Sequence, residues 1–211
     1  MIIAIDGSAA SGKGTLAKQL AEHIGLAHLD TGALYRAAAL ELISNGSTAT
    51  NITEKQCVDS IAQLNLDLTK SPLIRSDEVA EMASVIAAIP AVRTTLLDLQ
   101  RRFAAHPPHG NGAVLDGRDI GTVVLPNANI KFFIDADIAI RARRRTNELI
   151  HAGQSATFSC VLKGMQDRDA RDRLREVAPL RPADDAINID TSKLDADAVL
   201  ALAKLRISAI T

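Results

Sequence analysis

The chemistry-bearing residues of this chain concentrate first at positions 7–15, Gly-Ser-Ala-Ala-Ser-Gly-Lys-Gly-Thr. An apolar run at 1–6 reads as a buried strand before it, and the apolar spacing of 16–24 reads as a helix after it. Strand, glycine-rich loop with a lysine, then helix is the context a phosphate-binding loop requires. Glycines let backbone N–H groups turn inward around phosphate oxygens, the helix N-terminus adds partial positive charge, and Lys13 adds a full one. Gly14 stands where the general pattern has a Ser or Thr that holds Mg²⁺, and Thr15 comes one place later. No direct protein ligand to a metal is therefore expected. Magnesium would be held through water, with Asp116 the candidate partner of that water. This arrangement favours a small kinase over a GTPase.

Three further segments carry charge in patterns that suit a second anion: Leu-Asp-Thr-Gly-Ala-Leu-Tyr-Arg at 29–36, Asp-Gly-Arg-Asp-Ile-Gly-Thr at 116–122, and the run from Arg168 to Leu180. Nine of the 16 arginines lie between 141 and 181, while the net charge of the chain is only −1. A local concentration in a near-neutral chain points to a small polyanion rather than to nucleic acid, which favours a broad basic face. Arginine fits that task because its planar fork grips phosphate bidentately and keeps its charge. Arg168, Asp172 and Arg175 fall at i, i+4 and i+7, on one helical face. Asp167, Asp169 and Arg171 read as exposed intrahelical pairs, Asp169 with Arg173 among them, each worth about 0.2–0.5 kcal/mol.

These residues must be positioned by elements that can be read from the pattern. Apolar runs at 1–6, 26–30, 113–116, 130–134 and 186–190 predict strands. Helices are predicted over 16–24, 33–44 (capped by Thr31 and Gly32), 53–64, 77–88, 90–105, 137–151, 157–176 and 196–207, with an extended piece at 65–69. Apolar strands alternating with helices predict an α/β fold in three layers, α/β/α, around a parallel, five-stranded sheet. Ligands of such folds sit at the carboxyl ends of the strands, which here read Asp6, Asp30, Asp116, Asp135 and Asp190. For Asp135 and Asp190 a helix-capping role is the expectation.

With the Gly-Lys-Gly-Thr loop and a fifth segment, Ser-Val-Ile-Ala-Ala-Ile-Pro-Ala-Val-Arg at 84–93, the three charged segments resemble bacterial cytidylate (CMP) kinase, a P-loop nucleoside monophosphate kinase, over residues 2 to about 192. The resemblance implies that Lys13 and the amides of Gly7, Ser8, Ala9, Ala10, Ser11, Gly12, Gly14 and Thr15 hold the phosphates of ATP. It implies that Arg36, Arg118 and Arg175 grip the phosphate of CMP, and that Arg168 and Asp172 meet the sugar hydroxyls. Ser84, Arg93 and Asp119 would read the cytosine edge, and Thr31 and Tyr35 would line the pocket. The arginines from 141 to 145, Arg144 among them, fall in a lid over ATP. Lys13, Arg118 and Arg175 are the implied catalytic residues, and the implied reaction converts CMP and dCMP to CDP and dCDP with ATP and Mg²⁺. One domain is expected, with a core (about 1–46, 77–140 and 176–211), a lid (about 141–175) and a reduced monophosphate-binding insert (about 47–76). Bacterial CMP kinases often carry a small domain with a three-stranded sheet at that insert, and much of a hairpin is expected to be absent here, since only Lys70-Ser71-Pro72 separates 64–69 from 73–76.

Composition sets the outer limits. At 211 residues and 47 % hydrophobic content the chain can bury a sizeable core, but only 2 % of residues are aromatic, so Ala and aliphatic side chains must fill it. Cys57 and Cys160 form no CxxC pattern, which fits a reducing compartment. The five histidines form no ligand set. No stretch approaches the roughly 20 apolar residues that span a bilayer. A cytoplasmic monomer with small-molecule partners is expected, without nucleic acid or membrane. Two rivals stand beside the leading reading: another small P-loop kinase, such as adenylate or shikimate kinase, and a nucleotide-binding regulatory module without catalysis.

Overall fold

A computed structural model describes residues 1–209. Five strands form one parallel sheet: β1 (Ile2–Gly7), β2 (Ala27–Asp30), β3 (Ala113–Gly117), β4 (Ile130–Asp135) and β5 (Ile187–Asp190), in the order β2-β3-β1-β4-β5. The predicted parallel sheet with helices in both outer layers is thus observed. The strands are continuous apolar runs because both faces are covered. One face packs Ile3, Ile5, Val114, Phe132 and Ile134 against α1 (Lys13–Ile24) and α8 (Ala196–Ser208), through Leu16, Leu20, Val199 and Ala203. On the other face Ala4 and Leu115 meet Ala104 of α5 (Pro90–Ala105) and Ile120 and Val124 of a π-helical turn, Ile120–Val124. Burying one such Leu or Ile side chain stabilises the fold by roughly 1.5–3 kcal/mol.

A second apolar centre joins α2 (Thr31–Ser44), α3 (Glu54–Ala62), α4 (Asp77–Ile86) and α5 around Leu34, Ile61, Met82, Ile86 and Leu96. Helices α4 and α5 meet at 98°, because Ile89 is extended and Pro90 opens the new helix. The remaining helices are α6 (Ile138–His151) and α7 (Phe158–Leu174), which pack on each other. The register aligns the carboxyl ends of the strands: Asp30 faces Asp116, Ile5 faces Asp116, Asp6 faces Gly117 and Asp135 faces Asp190. Central β1 is flanked by β3 on one side and β4 on the other, so the chain reverses its winding there and opens a crevice at its end.

Local chemistry overrides several expectations. Residues 65–69 do not extend: the Asn65 side chain accepts the Asp67 amide and winds Leu66–Lys70 into a 3₁₀ turn, and a second such turn follows at Pro72–Arg75. Thr31 and Gly32 do not cap α2 but form its first turn; Asp30 is the cap, accepting from Ala33 N at 3.0 Å. Helix α1 begins at Lys13 rather than Leu16, and β2 begins at Ala27. Asp135 and Asp190 cap no helix. Asp137 and Asp195, each directly preceding a helix, do so instead. Helix α7 stops at Leu174, and Arg175 turns out of it.

Candidate active site

The phosphate-binding loop leaves β1 through Gly7, whose φ is +154°. A Cβ there would stand 1.9 Å from the carbonyl oxygen of Ile134, so only glycine fits. Ala10 takes φ +56°, and Gly12 at φ +91° precedes α1, which leaves the first amides of that helix facing the crevice. Lys13 folds back, its Nζ donating to the Ser8 carbonyl at 3.2 Å. Desolvation, reinforced by the nearby Arg118 charge, pushes the Lys13 amine down to about 7.

Loop and helices enclose a cleft of about 2300 Å³ that holds Lys13, Arg36, Arg93, Arg118, Arg168 and Arg175, with Thr31, Tyr35, Ser84, Asp119 and Asp172 among its walls. The CMP-side residues expected from the sequence are thus brought to one place. They divide around two carboxylates. Asp172 receives Arg118 Nε at 3.0 Å and the Ser84 hydroxyl at 3.3 Å. Burial opposes its ionisation, but Arg118 and Arg168 hold its carboxyl below the usual range. Asp119 receives Arg93 Nη2 and lies 3.7 Å from Arg175 Nη2. Burial pushes the Asp119 carboxyl up despite those two arginines. Arg93 also reaches the Ala87 carbonyl at 3.4 Å and the Tyr35 hydroxyl at 3.5 Å, and burial pushes the Tyr35 phenol up. Ser84, expected at the base edge, lines the same cleft and donates to Asp172.

The cations outnumber their partners. Desolvation and neighbouring arginines push Arg36 down to about 10 and Arg168 down to about 9, and Arg175 is lowered as well. Arg36 has no hydrogen-bond or ion-pair partner among the described residues. Arg168 Nε and Arg175 Nη2 are buried with no hydrogen bond. Buried donors are rarely left so, and an anion with several oxygens would satisfy them together.

The 141–145 arginines separate by task. Arg144 donates to the Thr191 side chain and carbonyl at 3.0 and 2.6 Å, while the Thr191 hydroxyl donates to the Ser11 carbonyl at 2.8 Å. It thereby walls a cavity of about 240 Å³ beside Ala10, Gly12 and Thr15 of the loop. Arg145 donates to the Arg75 carbonyl and to Asp77, both at 2.7 Å, joining α6 to the insert. Arg143 lies over the Phe158 ring. Arg141 is buried, and binds the Ala136 carbonyl at 2.8 Å, the Ala9 carbonyl of the loop at 3.3 Å and Asp169 at 2.7 Å. Asp169 is therefore no exposed partner of Arg173, which pairs with Asp135 instead at 3.2 Å. Asp167 pairs with Lys163 and Arg171 with Glu81.

Two contributors carry no motif of their own. His28 Nε2 donates to Asp116 Oδ1 at 2.8 Å, and the other Asp116 oxygen lies 3.7 Å from the Cβ position of Gly14. Thr31 donates to the Asp116 carbonyl at 2.7 Å. Asp6 accepts the amides of Ile120 and Gly121, each at 2.7 Å. The strand-end rule for ligand sites was the one signal that could mark Asp6 in the sequence, and no signal marked His28.

A family model described as cytidylate kinase matches residues 3–207. The chain belongs to the cytidylate kinase family. Among its relatives, a cytidylate kinase of Rhodopseudomonas palustris is 52 % identical over 195 residues, covering 92 % of this chain and 90 % of that protein. One from Paramagnetospirillum magneticum is 51 % identical over 202 residues, covering 96 % and 95 %. A solved structure of an uncharacterized protein from Eubacterium ventriosum superposes with TM-score 0.55 at 17 % identity, covering 99 % and 98 % of the two chains; it shares the fold. As a cytidylate kinase family member the chain is a nucleoside monophosphate kinase, and the family implies ATP as phosphoryl donor. The rival regulatory module and the adenylate or shikimate kinase readings are not favoured. Among the described residues no single helix is long and apolar enough to cross a membrane.

Proposed function

We propose that the enzyme transfers the γ-phosphoryl group of ATP to the phosphate of CMP or dCMP, with the roles of its side chains as follows. The loop amides of residues 7–15 and Lys13 receive the phosphates of ATP, and the cavity beside Arg144 takes its base. Arg36, Arg118 and Arg175 hold the acceptor phosphate, with Arg168 and Asp172 at the sugar. An acceptor phosphate oxygen attacks the γ-phosphorus as the bond to the β-phosphate oxygen breaks, so no covalent enzyme intermediate is needed. Catalysis is then positioning plus stabilisation of the charge on the equatorial oxygens, which Lys13, Arg118 and Arg175 supply.

Cytosine presents an exocyclic amine beside ring-nitrogen and carbonyl acceptors. Asp119 accepts from the amine, and Arg93 donates to the acceptors. Uracil would set a carbonyl against the carboxylate, and mispaired buried groups cost about 1–3 kcal/mol. Magnesium would neutralise charge on the β- and γ-phosphate oxygens. The ion would be held by substrate phosphates and water, with Asp116, whose carboxylate lies beside Gly14, as the partner of that water. The lid (141–175) and the insert (47–76) close over the substrates to exclude water.

The observation that carries this reading is the excess of cations opposite the loop, with Arg168 Nε and Arg175 Nη2 unbonded: binding ATP alone needs no second phosphate site. ADP release measured with CMP, dCMP, UMP, AMP and GMP tests it. Turnover fastest with CMP and dCMP is expected, and turnover no faster with CMP than with AMP would overturn it.

A further inference from the structure

Asp119 occupies the position that precedes the π-helical turn Ile120–Val124, yet its side chain caps none of the turn's amides. An aspartate at the head of a helical turn ordinarily folds its carboxylate back onto the first free N–H groups. Here those amides are already taken. Asp6, on the central strand directly before the phosphate-binding loop, is buried at 3 % exposure and chelates them, Oδ1 with Ile120 N and Oδ2 with Gly121 N, each at 2.7 Å. The Asp119 carbonyl is also engaged, by Val123 N at 2.9 Å and Val124 N at 3.1 Å. The Asp119 carboxylate is left to face Arg93 and Arg175.

We infer that Asp6 is a positioning residue for base selection: by capping the 120–124 turn from another strand, it releases Asp119 to read the nucleobase. The inference rests on the reading of Asp119 as the base-edge acceptor. It also gives β1 two tasks, because the residue after Asp6 is the glycine that begins the phosphate-binding loop. Asparagine cannot replace Asp6 in this role. One of its two polar atoms is an NH₂ group, which would meet a backbone N–H donor to donor. The turn would then lose half of its cap, and Asp119 would compete to restore it.

The test is the ratio of kcat/KM for CMP to that for UMP, measured on Asp6→Asn, on Asp119→Ala and on the double variant. Damage to the phosphate-binding loop affects both acceptors alike and cancels in the ratio. Asp6→Asn should lower the ratio about tenfold, equivalent to about 1.4 kcal/mol, and should lower it no further when Asp119 is already alanine. Gly121→Ala provides a second variant with Asp6 intact. Its added Cβ would lie 3.4 Å from Asp6 Oδ2 and 3.1 Å from the Lys131 side chain, crowding the same contact, and the ratio should fall again. If Asp119→Ala lowers the ratio while Asp6→Asn and Gly121→Ala leave it unchanged, the inference fails alone. If Asp119→Ala leaves the ratio unchanged, the base-edge reading of Asp119 fails and the inference with it.

Discussion

Replacing Arg93 by alanine should expose how strongly the buried Arg93–Asp119 pair holds the cleft wall together. Arg93 is 9 % exposed and Asp119 6 % exposed, so the variant strands a carboxylate inside the protein. Breaking a buried pair by removing one partner typically costs about 3–5 kcal/mol. Two features place this case at the lower end. Arg175 Nη2 stays 3.7 Å from the other Asp119 oxygen. Asp119 can also take up a proton, since burial already pushes its carboxyl above the ordinary 3.8.

The second feature fixes the pH dependence. Loss of Arg93 removes the strongest opposing charge, so Asp119 titrates still higher in the folded variant. Between the two folded pKa values the variant holds a proton that the wild type has lost. Its stability therefore falls relative to wild type as pH rises, by up to about 1.4 kcal/mol per pH unit. Urea unfolding should show a deficit of about 3 kcal/mol at alkaline pH that narrows as pH falls, at unchanged m-value. In Arg93→Ala/Asp119→Ala the deficit should no longer widen as pH rises. A deficit under about 1 kcal/mol at pH 8, or one constant across the range, would refute the buried-pair argument.

Two further outcomes follow from the same charges. Lys13→Met should lower kcat by about 10²–10³, as removal of a donor to transition-state charge does; with the free Lys13 amine near 7, ATP binding at pH 7.5 should draw in a proton, seen as a buffer-dependent calorimetric heat that the variant lacks, and equal heats in the two proteins would refute it. The preference for CMP over UMP should narrow as pH falls, because protonated Asp119 presents an O–H that a uracil carbonyl can accept; titration of the acceptor phosphate is common to both substrates, so a pH-invariant ratio would contradict the raised Asp119 carboxyl.

The parts legible in the sequence were those written in contiguous residues. Strands buried on both faces must be unbroken apolar runs, and the phosphate-binding loop needs its glycines in one short stretch. Residues 65–69 alternate in polarity as a strand would, but the Asn65 side chain turns the backbone, and a single extended piece has no neighbour to pair with. Asp169 illustrates the other limit. Its i+4 neighbour Arg173 offered a weak surface pair, whereas the packing of α7 on α6 turned Asp169 toward Arg141, 28 residues away and buried. Arg93 and Asp119, 26 residues apart, meet where α5 packs on β3 and the turn that follows it. His28 and Asp6 act through partners 88 and 114 residues distant, which local pattern does not encode.

The two buried carboxylates of the cleft respond in opposite directions, and the difference follows from which charges each one faces. Asp172 has Arg118 in hydrogen-bond contact and Arg168 beside it, enough to keep it ionised against burial. Asp119 has Arg93 and Arg175, which lower its carboxyl without fully offsetting the effect of burial. Asp172 is thus complete before a ligand arrives, whereas Asp119 remains short of a donor. The cations show the reverse deficit: Lys13, Arg36, Arg168 and Arg175 are all lowered, so as a group they lack anions. A ligand that satisfied both deficits would carry an N–H donor at one end and a phosphate at the other. Cytidine monophosphate has that form, with an exocyclic amine at one end and a phosphate at the other. Orthophosphate would answer only the cations, and a neutral nucleoside only the carboxylate.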